Sequence, residues 1–372
     1  IQGIWHFLKE CDNHGWIQRE YKPMPWCPRC GTSLSEHEMT GSYKMMTHNS
    51  VFFKLPIEEL DSKILVWTTT PWTLSSNVAL AVNPEIDYVE VKIKSDDQTL
   101  ILAKNAIKYL GDDKLEVLRA LKGEELVGLH YETCFADIPA QQGFEHKIVA
   151  WEDVAADEGT GVVHIAPGCG IEDFELGERL GLPKVMPIDD TGIYLEGFGF
   201  MTGKDSHTIA DEVFAKLDEQ NKLYKVEPHE HSYPVCWRCK SEIVFRLVPA
   251  WYIKTSEIKP KLIECANSVK WEPASNGKRM NDWLTNMGDW NISRKRYYGM
   301  PLPFYPCDCG HITVIGSKAE LRENAVDPAK VDALPELHRP WVDEIKIKCP
   351  HCGKEVSRVP DIGDVWLDAG IV

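Results

Sequence analysis

The sequence predicts a mixed fold, α/β in one part and β-rich in another, in which a β-rich domain interrupts a host domain. Three observations lead to this prediction. The 372 residues are enough for two or three hydrophobic cores. Eight of the 12 cysteines form four close pairs, two of them far apart in the chain and two near each other. Between the distant pairs, apolar and polar residues alternate as they do in β-strands.

Composition and charge limit the classes of function. Hydrophobic content of 43% and charged content of 26% are those of an ordinary globular protein. No apolar run approaches the roughly 20 residues that span a bilayer, and no secretory pattern opens the chain, so we expect a cytoplasmic protein without a membrane partner. The net charge of −16 gives no support to a nucleic-acid partner, although a local basic strip can still bind RNA. The compact basic cluster Arg294-Lys295-Arg296 is more typical of a solvated face.

The four close cysteine pairs predict metal binding. A Cys-x-x-Cys turn places two thiolates on one side of a metal, and two such turns complete the tetrahedron that zinc prefers. Disulfides are the alternative, but the chain has no secretory signal. The Cys-x-Cys pair is one residue tighter than the others and is the weakest of the four knuckles. The predicted ligands are Cys27 and Cys30, Cys236 and Cys239, Cys307 and Cys309, and Cys349 and Cys352.

Spacing predicts how the pairs combine. Cys307/Cys309 with Cys349/Cys352 form a local ribbon closed by a short loop. Joining Cys27/Cys30 to Cys236/Cys239 instead closes the whole segment between them into one loop. This is expected for a domain inserted into a host, with zinc holding the two strands of its stem together. The other four cysteines are predicted to be buried small hydrophobic residues: Cys11, Cys134, Cys169 and Cys265.

Periodicity predicts the elements on either side of the stem and within the insert. Residues 1–13 place apolar side chains on one helical face, and Gly15 ends that pattern. Strands are predicted at 63–67, 89–93, 100–102 and 161–165. Helices are predicted from Glu172 to Leu180 and from Thr208 to Leu223, the second with a capping box Thr208-x-x-Asp211.

The first motif with chemical potential is a threonine run, Trp67-Thr68-Thr69-Thr70-Pro71-Trp72-Thr73-Leu74, continuing to Asn77. Threonines at a strand end are stiff and offer hydroxyl donors and acceptors. Pro71 ends the strand pairing, so these hydroxyls are expected where a ligand can reach them. A plain β-edge is the alternative, since threonine is a good strand former.

The second motif runs from Gly159 through His164 to Phe174 and reads GTGVVHIAPGCGIEDF. It predicts a strand, a loop containing Gly168 and Gly170, and a helix opened by Glu172-Asp173. Acidic residues there complement the helix dipole, which is the structural explanation. A carboxylate beside a pocket can equally bind an ammonium group. A single histidine on a strand is more often structural than catalytic, and spacing alone names no substrate.

These two motifs resemble the signature segments of the editing domain of isoleucyl-tRNA synthetases, a class I family. The valine and leucine enzymes share the insert, but their threonine segment typically reads Thr-Thr-Arg-Pro, where this chain has Thr69-Thr70-Pro71-Trp72. The resemblance spans essentially the whole chain. Further segments resemble the same family in the same order: YKPMPWCPRCGTSLSEHE, HSYPVCWRCKSEIVFR, DWNISRKRYYGMPLP and GDVWLDAG.

The resemblance implies an inserted β-barrel-like editing domain on a zinc-ribbon stem, part of a Rossmann-type catalytic domain and a second zinc ribbon. Because the chain opens at Ile1 and stops at Val372 without a change in composition, we expect it to be a fragment of a longer enzyme. The implied segments are a helical and stem segment at 1–46, the editing domain at 47–230, the returning stem at 231–246, catalytic-domain parts at 247–305 and 359–372, and the second ribbon at 306–358.

The resemblance also implies residue roles. Asp173 matches the aspartate that binds the substrate α-amino group, and His164 the histidine that excludes isoleucine. Trp366 matches a tryptophan of the separate synthetic site. The threonines that line the pocket and hold the terminal adenosine and a hydrolytic water match Thr68, Thr69, Thr70 and Thr73. The remaining substrate-binding positions around the pocket are Trp67, Asn77, Gly168 and Gly170.

The implied activity is hydrolysis of mischarged Val-tRNA(Ile) at the tRNA(Ile) 3′ end, by direct attack of water. Valine and isoleucine differ by one methylene, worth only about 1–3 kcal/mol in an apolar pocket, and this enzyme is the standard worked example of that limit. The implied cofactors are two structural zinc ions, with ATP and Mg²⁺ used by the parent enzyme, which is expected to be a monomer and to ligate isoleucine to tRNA(Ile). The HIGH and KMSKS motifs are absent from the sequence, so this stretch alone is not expected to activate an amino acid.

Three positions depart from the family pattern: Cys169 replaces histidine, Tyr298 tryptophan and Ala369 serine in many relatives. Other interpretations stay open from the sequence. One is a zinc-ribbon tRNA-binding module without hydrolysis, another a free-standing editing factor, and a third the equivalent part of a valyl-tRNA synthetase. Deacylation of Val-tRNA(Ile) separates the first from an editing hydrolase.

Overall fold

The computed structural model describes residues 1–34, 36–94, 98–110 and 115–371. The chain divides into two compact units. The inserted unit is Lys22–Leu247, and the host unit combines Ile1–Tyr21 with Val248–Val372. The predicted inserted domain, residues 47–230, therefore lies wholly within one unit.

The helices agree with the amphipathic patterns in the sequence, with one correction. In the first helix Ile4, Trp5, Leu8 and Cys11 are buried, which confirms the predicted face. The helix predicted from Thr208 to Leu223 is shorter, and its capping box is wrong, because the Thr208 hydroxyl donates to the Asp205 carbonyl instead. The described helices are α1 (Gln2–Asn13), α2 (Glu36–Met39), α3 (Ile171–Leu180), α4 (Ala210–Glu219), α5 (Thr255–Ser268), α6 (Ser275–Asn286), α7 (Lys318–Asn324), α8 (Pro328–Asp332) and α9 (Val365–Gly370).

The strands are concentrated in the inserted unit. Those that begin within residues 1–234 are β1 (Ile17–Cys27), β2 (Thr32–Ser33), β3 (Tyr43–Pro56), β4 (Lys63–Thr68), β5 (Ala79–Val82), β6 (Asp87–Ile93), β7 (Thr99–Ala103), β8 (Leu115–Lys122), β9 (Lys147–Ala150), β10 (Val163–Ile165) and β11 (Leu223–Pro234). The later strands are β12 (Val244–Ile253), β13 (Trp290–Asn291), β14 (Ser293–Arg294), β15 (Phe304–Pro306), β16 (Ile312–Val314), β17 (Lys346–Lys348), β18 (Glu355–Ser357) and β19 (Ile362–Gly363).

Two sheets organise the inserted unit. The larger has six strands in the order β11-β3-β4-β7-β6-β8, and the smaller has three in the order β10-β5-β9. The predicted strands at 63–67, 89–93 and 100–102 are confirmed as β4, β6 and β7. The strand predicted from residue 161 begins only at Val163, because Gly161 has a φ of +69° and leaves the extended conformation. The unit is thus a mixed α/β structure.

The loop at 159–161 ties the two sheets together. The Tyr88 hydroxyl on β6 donates to the Gly161 carbonyl at 2.6 Å, and the backbone N–H of Ala103 at the end of β7 donates to the Thr160 carbonyl at 2.9 Å. This loop leads directly into β10. As a result, the end of β4 in the larger sheet and the start of β10 in the smaller sheet border the same space.

The host unit has its own hydrophobic core, which includes Trp5, Trp251, Phe304 and Leu367. In the basic cluster at 294–296, the Arg294 guanidinium pairs with the Asp364 carboxylate, and both side chains are largely buried, so Arg294 is not part of a solvated face. Cys265 is exposed on α5, where Thr255 and Ala266 are the buried residues, so its predicted burial is wrong. Cys11, Cys134 and Cys169 are buried as predicted.

Within the described residues, no helix combines the length and the apolar character needed to cross a membrane.

Candidate active site

The threonine run lies at the exit of β4 in the inserted unit. The strand ends at Thr68, so Thr68 is the only threonine of the run within it. Pro71 begins a 3₁₀ helix, Pro71–Ser76, where its fixed φ suits the first helical position. Thr68 and Thr73 are both largely buried. The strand end and the 3₁₀ turn therefore bring hydroxyls from both sides of Thr69-Thr70 together.

These hydroxyls form a directed hydrogen-bond chain. The Thr70 backbone N–H donates to Thr68 Oγ1 at 3.1 Å, and the Thr70 hydroxyl lies 3.3 Å from both Thr68 Oγ1 and Thr73 Oγ1. The Thr73 hydroxyl donates its proton to the Thr70 carbonyl at 2.8 Å. Because a hydroxyl has one proton, the 2.8 Å contact between Thr73 Oγ1 and His164 Nε2 requires the imidazole to donate.

His164 is therefore held as the neutral Nε2–H tautomer. It lies on β10 opposite Leu80 of β5 and is buried. Burial lowers the pKa of His164 to about 4, so the ring is uncharged at neutral pH. Its other nitrogen, Nδ1, is buried without a hydrogen-bond partner among the residues that the structure describes. A buried, neutral imidazole whose proton points at Thr73 is a fixed wall rather than a general base for that hydroxyl.

Asp173 lies in the first turn of α3. Its carboxylate accepts a hydrogen bond from the Ala166 backbone N–H at 2.7 Å, across the loop that joins β10 to α3. Burial raises the pKa of Asp173 to about 6, and this desolvation outweighs the opposing effect of the Ala166 N–H. A largely ionised carboxylate held in a desolvated place at neutral pH is stabilised by any cation that reaches it.

These groups surround one pocket of about 410 Å³. Among the described residues, none of its lining side chains is a lysine or an arginine, whereas Asp153, Glu158 and Asp173 contribute carboxylates. The pocket therefore favours a cationic group over an anionic one. The lining residues are Trp67, Thr68, Thr69, Thr70, Thr73, Trp151, Asp153, Val154, Ala155, Glu158, Gly159, Val162, Val163, His164, Ala166, Cys169, Gly170 and Asp173.

The structure brings most of the predicted site residues together, but not all of them. Asn77 is outside the lining and is buried, with its amide bonded to the Ala79 carbonyl and to the hydroxyls of Tyr131 and Thr133. Gly168 is also outside the lining. It packs so closely on another segment that a Cβ there would lie 2.0 Å from the Val185 carbonyl oxygen.

Trp366 lies in the host unit, at the start of α9, and the residue is 58% exposed. The pocket lies entirely within the inserted unit, so Trp366 has no part in it.

One wall of the pocket was missed from the sequence. It is the segment 151–158, which lies just before the Gly-Thr-Gly motif and carries Asp153 and Glu158. The sequence signal that could have indicated this wall is its acidic residues, which stand directly before the Gly-Thr-Gly motif. Its position depends on Gly159, which has a φ of +53° and sits so close to Trp67 that a Cβ would lie 2.6 Å from the indole ring.

The predicted cysteine pairings are found as two four-cysteine clusters. Cys27, Cys30, Cys236 and Cys239 group in the inserted unit, and Cys307, Cys309, Cys349 and Cys352 in the host unit, with the four sulfurs of each cluster within 4.8 Å of one another. Sulfur–sulfur distances include 3.5 Å for Cys27–Cys239 and 3.8 Å for Cys309–Cys349. A tetrahedron with zinc–sulfur bonds of about 2.3 Å has edges of about 3.8 Å, so both clusters fit zinc.

Comparisons with known proteins cover the whole chain. Isoleucine--tRNA ligase of Clostridium tetani is 38% identical over 373 residues, covering 100% of this chain and 35% of the relative. Isoleucine--tRNA ligase of Methanopyrus kandleri is 39% identical over 393 residues, covering 100% of this chain and 36% of the relative. The chain thus spans about a third of the length of these curated relatives.

Among solved structures, the editing domain of the P. knowlesi cytosolic leucyl-tRNA synthetase is similar at 12% identity and a TM-score of 0.38, covering 50% of this chain and 98% of that one. The family model of class I tRNA synthetases (I, L, M and V) matches residues 1–372. The chain belongs to the class I tRNA synthetases (I, L, M and V).

Proposed function

We propose that the inserted unit hydrolyses the ester bond of valyl-tRNA(Ile), removing valine that was attached in error to the tRNA for isoleucine. The observation that carries the proposal is the pocket in which the threonine hydroxyl chain, a neutral His164 and the partly buried, desolvated Asp173 carboxylate converge. The names of the isoleucine--tRNA ligase relatives supply the amino acid and the tRNA.

Asp173 binds the α-amino group of the aminoacyl ester. An ammonium group entering the pocket meets carboxylates and, among the described lining residues, no competing cation. The desolvation that raises the pKa of Asp173 also strengthens an ion pair made there. The α-amino group fixes one end of the substrate, so the side chain and the ester carbonyl are placed relative to the threonines.

Water is the nucleophile in this proposal. The Thr73 proton is committed to the Thr70 carbonyl, and His164 donates to Thr73 rather than accepting from it, so this pair does not generate an alkoxide. Burial raises the pKa of the Cys169 thiol far above neutral pH, which disfavours the thiolate. The threonine hydroxyls instead bind the terminal ribose and a water, and those other than Thr73 donate to the oxyanion that develops as the ester carbon is attacked.

His164 limits the size of the amino acid. As a buried ring bonded to Thr73, it cannot withdraw easily from the pocket wall. A rigid wall excludes the larger isoleucine side chain by steric clash. Exclusion is needed because binding alone separates valine from isoleucine by only one methylene, worth about 1–3 kcal/mol in this standard case. Exclusion of isoleucine at a second site then adds to the discrimination made during synthesis.

The two cysteine clusters hold structural zinc ions in this proposal. Four thiolates complete the coordination of zinc and leave no position for a substrate, so each ion would fix the fold of its ribbon. We also propose that the longer enzyme containing this chain ligates isoleucine to tRNA(Ile) with ATP and Mg²⁺, as a monomer in the cytoplasm.

The test is deacylation by the 372-residue chain of Val-tRNA(Ile) and Ile-tRNA(Ile), each compared with buffer alone. We expect cleavage of the valyl ester and little cleavage of the isoleucyl ester. Asp173→Ala should abolish the activity, while Asp211→Ala, which changes an exposed first-turn aspartate of α4, should leave it unchanged. Failure to cleave either ester faster than buffer overturns the proposal. Preferential cleavage of threonyl-tRNA(Val) would assign the pocket to the valine enzyme instead.

A further inference from the structure

Two buried side chains from distant segments donate hydrogen bonds to the backbone of the 3₁₀ turn that carries Thr73. The Tyr194 hydroxyl donates to the Trp72 carbonyl at 2.6 Å, and the Gln141 side-chain amide donates to the Ser75 carbonyl at 2.6 Å. These two carbonyls flank Thr73 on either side in the sequence. Neither Tyr194 nor Gln141 lines the pocket.

The orientation of Gln141 is itself fixed by a partner. Gln141 is 3% exposed, and its Oε1 lies 2.8 Å from His146 Nε2. With Oε1 accepting from the imidazole, the amide nitrogen is left to donate to Ser75, so every polar atom of the group has one consistent role. Burial lowers the pKa of His146, which keeps the ring neutral.

The turn needs such external partners because it is intrinsically weak. A 3₁₀ helix has poorer hydrogen-bond geometry than an α-helix. Its internal bonds include Thr73 N–H to the Thr70 carbonyl at 3.0 Å and Asn77 N–H to the Leu74 carbonyl at 3.3 Å. The two side-chain bonds at 2.6 Å are shorter than either. The position of the Thr73 hydroxyl therefore depends on the bonds from Tyr194 and Gln141 as well as on the bonds within the turn.

We infer that Tyr194 and Gln141 are positioning residues, which hold the Trp72 and Ser75 carbonyls so that the Thr73 hydroxyl stays between the Thr70 carbonyl and His164 Nε2. This deepens the proposed function and rests on it for its catalytic consequence. When either bond is lost, the turn shifts, Thr73 no longer accepts from His164 in one geometry, and the ring gains freedom to turn. The pocket then positions water less well and excludes isoleucine less strictly.

The test compares Tyr194→Phe with Tyr233→Phe. The Tyr233 hydroxyl also donates to a backbone carbonyl, that of Ile243 at 3.1 Å, and Tyr233 does not line the pocket, so the control removes the same kind of bond elsewhere in the unit. For Tyr194→Phe we expect kcat for Val-tRNA(Ile) to fall about tenfold with KM nearly unchanged, and the preference for valyl over isoleucyl ester to fall severalfold. Gln141→Leu should behave alike, which gives a second, independent variant.

A second measurement does not depend on activity. In the wild type, nitrogen NMR should show His164 as a single Nε2–H tautomer, and Tyr194→Phe should mix the two tautomers while Tyr233→Phe does not. Tyr233→Phe is expected to lose only thermal stability. If Tyr194→Phe and Gln141→Leu behave in the same way, with kcat, the ester preference and the His164 signal unchanged, the positioning role is overturned. If the wild type cleaves neither ester, the proposed function fails. The His164 signal still decides whether Tyr194 and Gln141 fix the turn.

Discussion

Replacing Asp173 by asparagine is expected to stabilise the protein at neutral pH while abolishing hydrolysis. The pKa of Asp173 is raised from 3.8 to about 6 because the partly buried carboxyl group is desolvated in the folded protein. A raised folded-state pKa means that the folded state binds the proton more tightly than the unfolded state. Stability conferred by the neutral acid is thus fully present below pH 3.8 and is lost as the pH rises to about 6.

The size of the effect follows from the shift. A difference of about 2.2 pH units at about 1.4 kcal/mol each corresponds to about 3 kcal/mol. Asparagine resembles the neutral acid, and its side-chain oxygen can still accept from the Ala166 N–H. Asp173→Asn should therefore raise the free energy of unfolding by up to about 3 kcal/mol at pH 7.5 and by almost nothing at pH 3.5.

The assay is urea denaturation of both proteins at the two pH values, with Asp211→Asn as the matched control. Asp211 is an exposed first-turn aspartate of α4, so its replacement should lose a favourable helix-dipole interaction of about 0.3–1 kcal/mol, the opposite sign. An Asp173→Asn protein that is no more stable than the wild type at pH 7.5 would refute the reasoning. The ionised Asp173 carboxylate would then not lower the free energy of unfolding at neutral pH.

Three further predictions concern the pocket, its loop and the cysteine clusters. Because the pKa of Asp173 is about 6, kcat/KM for the valyl ester should rise about tenfold from pH 5 to pH 7 after subtraction of the buffer rate, and a flat profile would contradict its role. Gly168→Ala places a Cβ 2.0 Å from the Val185 carbonyl oxygen and should cost about 3 kcal/mol in chemical denaturation, whereas Gly288→Ala, which meets nothing within 4 Å, should not. Metal analysis should find two zinc ions per chain and one in Cys27→Ser; an unchanged content would argue against that cluster.

Features encoded by local patterns were predictable from the sequence. The cysteine spacing indicated which pairs combine, because a zinc site needs four thiolates and the knuckles supply two each. Apolar runs at 63–67 and 100–102 located β4 and β7, period-two alternation at 89–93 located β6, and helical periodicity located α1 and the body of α4. The threonine run and the His164/Asp173 segment converge on one pocket, as the family resemblance implied.

Features that depend on tertiary contacts were not predictable in the same way. Asn77 follows the threonine run, yet its amide turns into the core, because Tyr131 and Thr133 supply hydroxyls there. The wall at 151–158 leads into Gly159, whose backbone packs against Trp67, and such a contact between distant segments leaves no local pattern in the sequence. The Thr208 hydroxyl has a choice of backbone partners within a few residues, and periodicity cannot decide between them.

The two cysteine clusters differ in how long the ribosome takes to complete them. Residues 31–235, that is 205 residues, separate the two pairs of the first cluster, whereas residues 310–348, that is 39 residues, separate those of the second. At roughly 5–20 residues per second, the first pair waits roughly 10–40 s for its partner and the third only roughly 2–8 s. Every residue that lines the pocket is synthesised before Cys236 and Cys239. The whole pocket is therefore synthesised while Cys27 and Cys30 still lack the second half of their cluster.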